Sequence, residues 1–236
     1  MASLIVILII FIFKIIFKIP NHSFTSVFQG SIRYNSYIFI ALAYALFGDA
    51  GLALAGFFMA YMIVLNNLLC ISCMNIFGSA AKTNPLQILI GLIKNPLMIG
   101  ALTGLFLNKI NAAIPDFLMM YLTYLAAASM VTSCLAVGAG LTLKMNINSL
   151  SLLGFSTLAK LLLLPLITYI LLKYLQAPSG TAFNLAMLYA AVPCAGNAYI
   201  LARQMGGDAP LMASIITWTT LGACISIPII ISMVQV

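Results

Sequence analysis

Arg33, Asn35, Asn66, Lys160 and Asn197 are polar or charged side chains set inside long apolar runs, where each needs a physical reason. Arg33 and Asn35 stand in "IRYNSYIFIALAYALFGDAGLAL", and Pro193, Gly196 and Asn197 stand in "AAVPCAGNAYILARQM". An arginine keeps its charge at any ordinary pH and presents a planar fork that fits a carboxylate. An asparagine side chain both donates and accepts, which suits a carboxylate with a neighbouring hydroxyl or carbonyl. Placing Arg at the centre of a spanning helix costs about 2.5–3.5 kcal/mol on insertion scales. Two readings of Arg33 follow: a fork for an anionic ligand, or a surface anchor if its helix begins later. Lys160, in "STLAKLLLLPLI", carries a similar pair: it snorkels to an interface, or it faces a polar path. The polar pair Asn66–Asn67 reads as glue between helices or as part of the same path.

Such groups are rare in this chain. It is 64% hydrophobic and 6% charged, with no Glu, three Asp, two Arg, eight Lys and one His. A soluble domain carries about 25% charged residues, so no ordinary water-facing surface can be built. Apolar runs of about 20 residues match a bilayer core. They are continuous rather than alternating, so the expected fold class is an all-α polytopic membrane protein and not a barrel. The net charge of +7 comes from single cations scattered near the ends of apolar runs. There they act as topology signals, and no nucleic-acid partner is implied. Cys70 and Cys73 form a C-x-x-C without a second pair, and all five cysteines read as apolar filler. No cofactor and no metal is implied. An intramembrane enzyme needs paired acids, a Ser–His pair or a metal cluster. The sole histidine, His22, lies beside Pro20 and no two acids are close in sequence, so the chain is read as a non-enzyme.

Helical spans are expected at about 3–19, 22–47, 52–77, 87–107, 115–143, 151–175, 180–205 and 209–234, about eight crossings with short loops. The first lacks a basic leader and a cleavage pattern, so it is read as a retained span and not a signal peptide. By crossing parity one side receives Lys14, Lys18, Lys82, Lys94, Lys144 and Arg203, the other Lys109 and Lys173. That bias puts the first side in the cytoplasm and both termini outside.

The stretch at Asn35 recurs. "NSYIFIALAYALFGDAGLALA" and "NAYILARQMGGDAPLMA" both read N-x-Y, a helical segment, then G-D-A-x-L. The copies fall in spans two and seven, five crossings apart, so they enter the membrane from opposite sides. This is the plan of an inverted repeat, common among secondary transporters. Pairing two with seven leaves spans four and five without partners, so the parent architecture has ten spans, five plus five. Residues 1–78 are then the remaining three helices of the first repeat, and 79–236 are the second. Pro193 frees a carbonyl, and Gly30 and Gly196 permit unwinding. Two interrupted helices would bring half-helix ends together at mid-membrane, where their N-termini attract anions. Asp49 and Asp208 sit at span ends and read as caps or loop residues. Gly100 and Gly104 form a G-x-x-x-G, which predicts a close helix contact.

"IRYNSYIFIALAYALFGDAGLALA", "IKNPLMIGALTGLFLN" and "YAAVPCAGNAYILARQMGGDAPLMASIITWTT" resemble the auxin efflux carrier family of membrane transporters, which includes bacterial permeases. The resemblance implies ten helices in two inverted five-helix repeats, with two broken helices crossing at the substrate site. It implies a carrier of small organic anions such as carboxylates, working by alternating access in a bacterial inner membrane. The asparagines of the two crossings correspond to Asn35 and Asn197, and the helix-breaking proline of the second to Pro193. In the first crossing Tyr34-Asn35 stands where plant members have Pro-Asn, which removes the proline from that break. Arg33 follows a bacterial style and favours an anion. The family pattern would make this chain begin at its third helix, and the two preceding ones belong to a scaffold and dimer-forming part. A homodimer is therefore the candidate assembly, and a truncated, non-transporting fragment is the alternative function. The candidate substrate residues are Arg33, Asn35, Pro193, Gly196 and Asn197, with Asn66 and Lys160 on the path.

Overall fold

The computed structural model describes residues 1–79, 96–139 and 149–233. In hydrocarbon every backbone polar group must pair internally, and helices do so within their own segment. Among the described residues the chain is all-helical, without strands. The elements are α1 (Ala2–Phe17), α2 (Asn21–Ile32), α3 (Ser36–Phe77), α4 (Pro96–Lys109), α5 (Asp116–Ala139), α6 (Leu150–Leu158), α7 (Leu164–Tyr174), α8 (Thr181–Ala191), α9 (Ala198–Met205) and α10 (Ala209–Met233). Among the described residues three stretches are long and apolar enough to cross a membrane: Asn21–Phe77, Leu150–Tyr174 and Ala209–Ser232. The first has 57 residues, enough for two passages.

Among the described residues the helices follow the expected spans with three changes, one of them the break of the span at 180–205 between Ala191 and Ala198. The span at 22–47 is broken at 33–35, and its second half continues through Gly48 into the next span. Gly48 has φ 61 and ψ −152, a backbone state open cheaply only to glycine, and it bends α3 in two. The span at 151–175 is one rod containing a π turn, Ala159–Leu163, where Leu164 N–H donates to the Ala159 carbonyl five residues back. Pro165 follows at once and cannot donate, so the wider turn sits where the ladder is already weakened. Parts of the spans at 87–107 and 115–143 lie outside the described residues. Asp116 opens α5, a favourable place for a negative charge.

Contacts at one end of the bundle fix the directions of the helices. Asp208, just before α10, donates its N–H to the His22 carbonyl (3.2 Å). Ser23 Oγ donates to Asp208 Oδ2 (2.8 Å), and His22 Nε2 lies 3.9 Å from the same oxygen. Gly78, after α3, lies against the Met205 carbonyl, and Ser79 N–H donates to the Gly206 carbonyl (3.1 Å). The start of α2, the end of α3, the end of α9 and the start of α10 therefore share one face. From it α2 and the first half of α3 run away, while α8 and α9 run towards it. The two interrupted rods pass each other in opposite directions. Lys14, Lys18 and Arg203 all lie near this face; Lys82, Lys94 and Lys144 are outside the described residues.

Packing beneath that face is aromatic. Phe24 contacts Phe11, Phe28 and Phe77, and Phe13 stacks on Phe155 with ring centres 3.6 Å apart. Lys14 lays its ammonium 4.7 Å from the centre of the Phe77 ring. One glycine expectation fails. Gly30 stays inside α2 rather than unwinding it, because its role is close approach: a Cβ there would meet Ile215 Cγ2 at 2.5 Å and Ser156 Oγ at 2.6 Å. Gly100 and Gly104 have no neighbour within 4 Å of an added Cβ among the described residues.

Asp208 is a helix cap, as its position implied: Oδ1 accepts from Leu211 N–H (3.1 Å). Asp208→Ala removes the cap and the partner of Ser23, an expected loss of about 1–2 kcal/mol. A thermal melt of the purified chain in detergent should fall by roughly 2–8 °C, with Asp208→Asn close to wild type.

Candidate functional site at the crossing of two broken helices

Two different local causes break the two rods. α8 stops because Val192 turns extended (φ −66, ψ 148) before Pro193, which has no N–H to give. The next amide, Cys194 N–H, donates to Thr219 Oγ1 of α10 (3.2 Å) instead of to the Ala190 carbonyl. α2 stops without a proline. Arg33 is extended (φ −68, ψ 149), and Asn35 restarts the chain as a helix by capping α3: its Oδ1 accepts from Tyr37 N–H (3.1 Å) and Ile38 N–H (3.2 Å). The asparagine thus supplies what the absent proline would have done. Asn197 heads α9 but spends no side-chain bond on capping it. One backbone bond ties the breaks together, Asn35 N–H to the Pro193 carbonyl (2.8 Å). Tyr34 and Tyr189 pack edge to face beside it, with ring centres 4.7 Å apart.

Arg33 sits at this crossing and is 6% exposed, so the surface-anchor reading is wrong. Nη1 donates to Asn197 Oδ1 (2.9 Å) and Nη2 to Asn67 Oδ1 (2.7 Å). Cys70 lies against the guanidinium. Both hydrogen-bond partners are neutral amides. Among the described residues no acid comes within 4 Å of it; the one ion pair found is His22–Asp208, at the end of the bundle. The charge is therefore held but not balanced. Several buried polar atoms nearby have no partner: Arg33 Nε, Tyr34 OH, Asn35 Nδ2 and Asn66 Oδ1. Arg33, Tyr34, Ser36, Asn66, Asn67 and Asn197 line a small cleft of about 30 Å³, room for about one or two waters.

The expected residues do not all meet in that cleft. Arg33, Asn66 and Asn197 line it. Asn35 is buried behind it with one amide group turned to α3, and Pro193 gives its carbonyl to Asn35. Gly196 lies in the turn that starts α9, where its carbonyl accepts from Tyr199 N–H (3.3 Å). Lys160 neither snorkels nor lines the cleft; it is fully buried. Asn67 lines the cleft beside Asn66, so the adjacent Asn pair inside an apolar run was the signal for both. Thr219 had no sequence signal, since a lone threonine in an apolar helix commonly bonds its own backbone.

Long apolar helices interrupted at a buried polar crossing define an integral membrane protein organised around a central site. The chain belongs to the membrane transport protein family, that of the auxin efflux and PIN-like carriers: the family model described as "Membrane transport protein" matches residues 81–231. The matched segment contains the second broken rod, α8 and α9; Arg33 and Asn35 precede it. No curated protein gives a significant match to the chain.

Proposed function

We propose that this membrane transport protein is a secondary carrier of small organic anions, carboxylates foremost, driven by membrane potential or an ion gradient. One observation carries the reading: the Arg33 guanidinium is buried where two broken helices cross, held by amides and unmatched by any acid among the described residues. An anion is the natural complement. The N-termini of α3 and α9 also meet there, and each adds partial positive charge. Alternating access would come from one subdomain moving against another about the crossing. The order helix, break, helix, glycine turn, aspartate occurs in both rods, with positive φ at Gly48 and Gly206, and supports an inverted repeat. By the lysine and arginine bias, the face carrying Lys14, Lys18 and Arg203 is cytoplasmic in a bacterial inner membrane.

Reconstituted vesicles supplied with a panel of mono- and dicarboxylates test this. Asn197→Ala deprives Arg33 of a partner and should lower uptake by about tenfold or more, with a melt lower by a few degrees from the unpaired buried donor. Asn35→Ala should lower both, because it also uncaps α3. Unaltered uptake in both variants refutes the assignment of the site.

A further inference from the structure

Arg33 leaves the crossing rich in donors. Its guanidinium takes the oxygens of Asn67 (2.7 Å) and Asn197 (2.9 Å), so the end that each amide offers a guest is its N–H₂. Arg33 Nε–H and Asn35 Nδ2 are further donors, buried and without partners. A carboxylate, which only accepts, answers all of these. One group at the crossing asks for the opposite. Asn66 is 4% exposed, its Oδ1 has no partner, and an amide oxygen can only accept. The amide is pinned from its other end: Nδ2 donates to Tyr189 OH of α8 (3.3 Å), and Ser3 of α1 lies beside the same hydroxyl. The Tyr189 ring is itself wedged edge to face against Tyr34 and Phe58, with ring centres 4.7 and 5.0 Å away. A buried acceptor without a bond carries the full desolvation cost of the group. Asn66 Oδ1 is therefore a place where a ligand's own O–H or N–H gains a bond, and no carboxylate oxygen can supply one.

We propose that the ligand is a short hydroxy monocarboxylate, with its carboxylate on Arg33 and its hydroxyl donating to Asn66 Oδ1. Arg33 and Asn66 line one small cleft, so the two ligand groups must lie close together, on the same or neighbouring carbons. Three rival classes are each mismatched. A plain carboxylate leaves Asn66 Oδ1 unpaired. A dicarboxylate sets a second anion against that oxygen and has one guanidinium to share. An amino acid has a donor, but it brings an ammonium to a guanidinium that no acid among the described residues balances. On this account Asn66 is a specificity-determining residue that touches the ligand. Tyr189 is a positioning residue, which keeps Oδ1 and not the N–H₂ turned towards it. The proposal rests on the carrier reading above and narrows its substrate class.

The test uses three-carbon probes that differ in one group: propionate, lactate, malonate and alanine. Uptake by the full chain in vesicles, and its melt in detergent, are measured with each probe at equal ionic strength. Wild type should take up lactate about tenfold or more faster than propionate at limiting concentration. Malonate and alanine should do no better than propionate, and lactate should raise the melt most. Asn66→Leu has a similar volume without the acceptor, and its preference for lactate should disappear. Tyr189→Phe removes a single oxygen and frees the amide to turn, so the preference should shrink. The lactate-to-propionate ratio is the readout, so a general loss of rate does not imitate the result. Where a variant takes up too little to measure, the probe concentrations that half-saturate the melt shift give the same ratio; if Asn66→Leu does not fold, Tyr189→Phe and wild type decide. Equal handling of lactate and propionate by wild type overturns the proposal and leaves the carrier reading intact. So does malonate or alanine as the preferred probe, or a wild-type ratio retained in the variants. Absence of uptake of every probe defeats the carrier reading instead. A melt raised by lactate over propionate would then still uphold the ligand class, and a melt raised by neither overturns both.

Discussion

Arg33→Gln should lower carboxylate uptake by about 100-fold or more, as judged from two charge-assisted hydrogen bonds at about 1.5–3 kcal/mol each. Glutamine reaches part of the way and can bond one asparagine, but it brings no charge to the crossing. Arg33→Lys should recover little. A lysine ammonium is a point charge that cannot hold Asn67 and Asn197 on two separate nitrogens while leaving Nε–H for a ligand. The two variants separate charge from geometry. Initial uptake rates in vesicles, with melts of the same preparations to show that both are folded, give the answer. Uptake by Arg33→Gln within a few-fold of wild type would contradict the assignment of an anion to this site.

Gly30→Val has the largest expected effect on the fold. Its first side-chain atom would fall 2.5 Å from Ile215 Cγ2 and 2.6 Å from Ser156 Oγ, inside the packing of α2 against α10 and α6. Overpacking of this kind costs about 1–3 kcal/mol, with more expected for a branched side chain. The melt should drop by roughly 4–12 °C. Because Gly30 is one turn from Arg33, uptake should suffer more than the melt suggests. Gly56→Ala is the control: it lies in α3 with nothing within 4 Å of an added Cβ, and alanine suits a helix better than glycine. Its melt should equal or slightly exceed that of wild type.

The parts of this molecule that depend on hydropathy were legible in the sequence, because apolar run length maps directly onto helix length. The rod from 150 to 174 and the last one from 209 to 233 fell within a residue or two of expectation. The second break was legible through Pro193, since a missing N–H forces it locally. The first break was harder, because its cause is a capping side chain, and Asn35 could have pointed anywhere. Arg33 was visible as a misplaced charge, yet its partners were not. Asn67 lies 34 residues along the chain and Asn197 lies 164 away, and only the crossing of the rods brings them together. Lys160 was misread for the same reason. A lysine nine residues into a span resembles an interfacial anchor until the Ala190 carbonyl it donates to, on another helix, is known.

The double hold on the guanidinium has a thermodynamic consequence. Asn197 on Nη1 and Asn67 on Nη2 fix the plane of the fork before any guest arrives and leave Nε–H unspent. A long side chain that is already immobile loses little conformational entropy on association, a saving of about 0.5–1.5 kcal/mol. Loosening either amide therefore weakens binding through disorder in the arginine as well as through the lost contact.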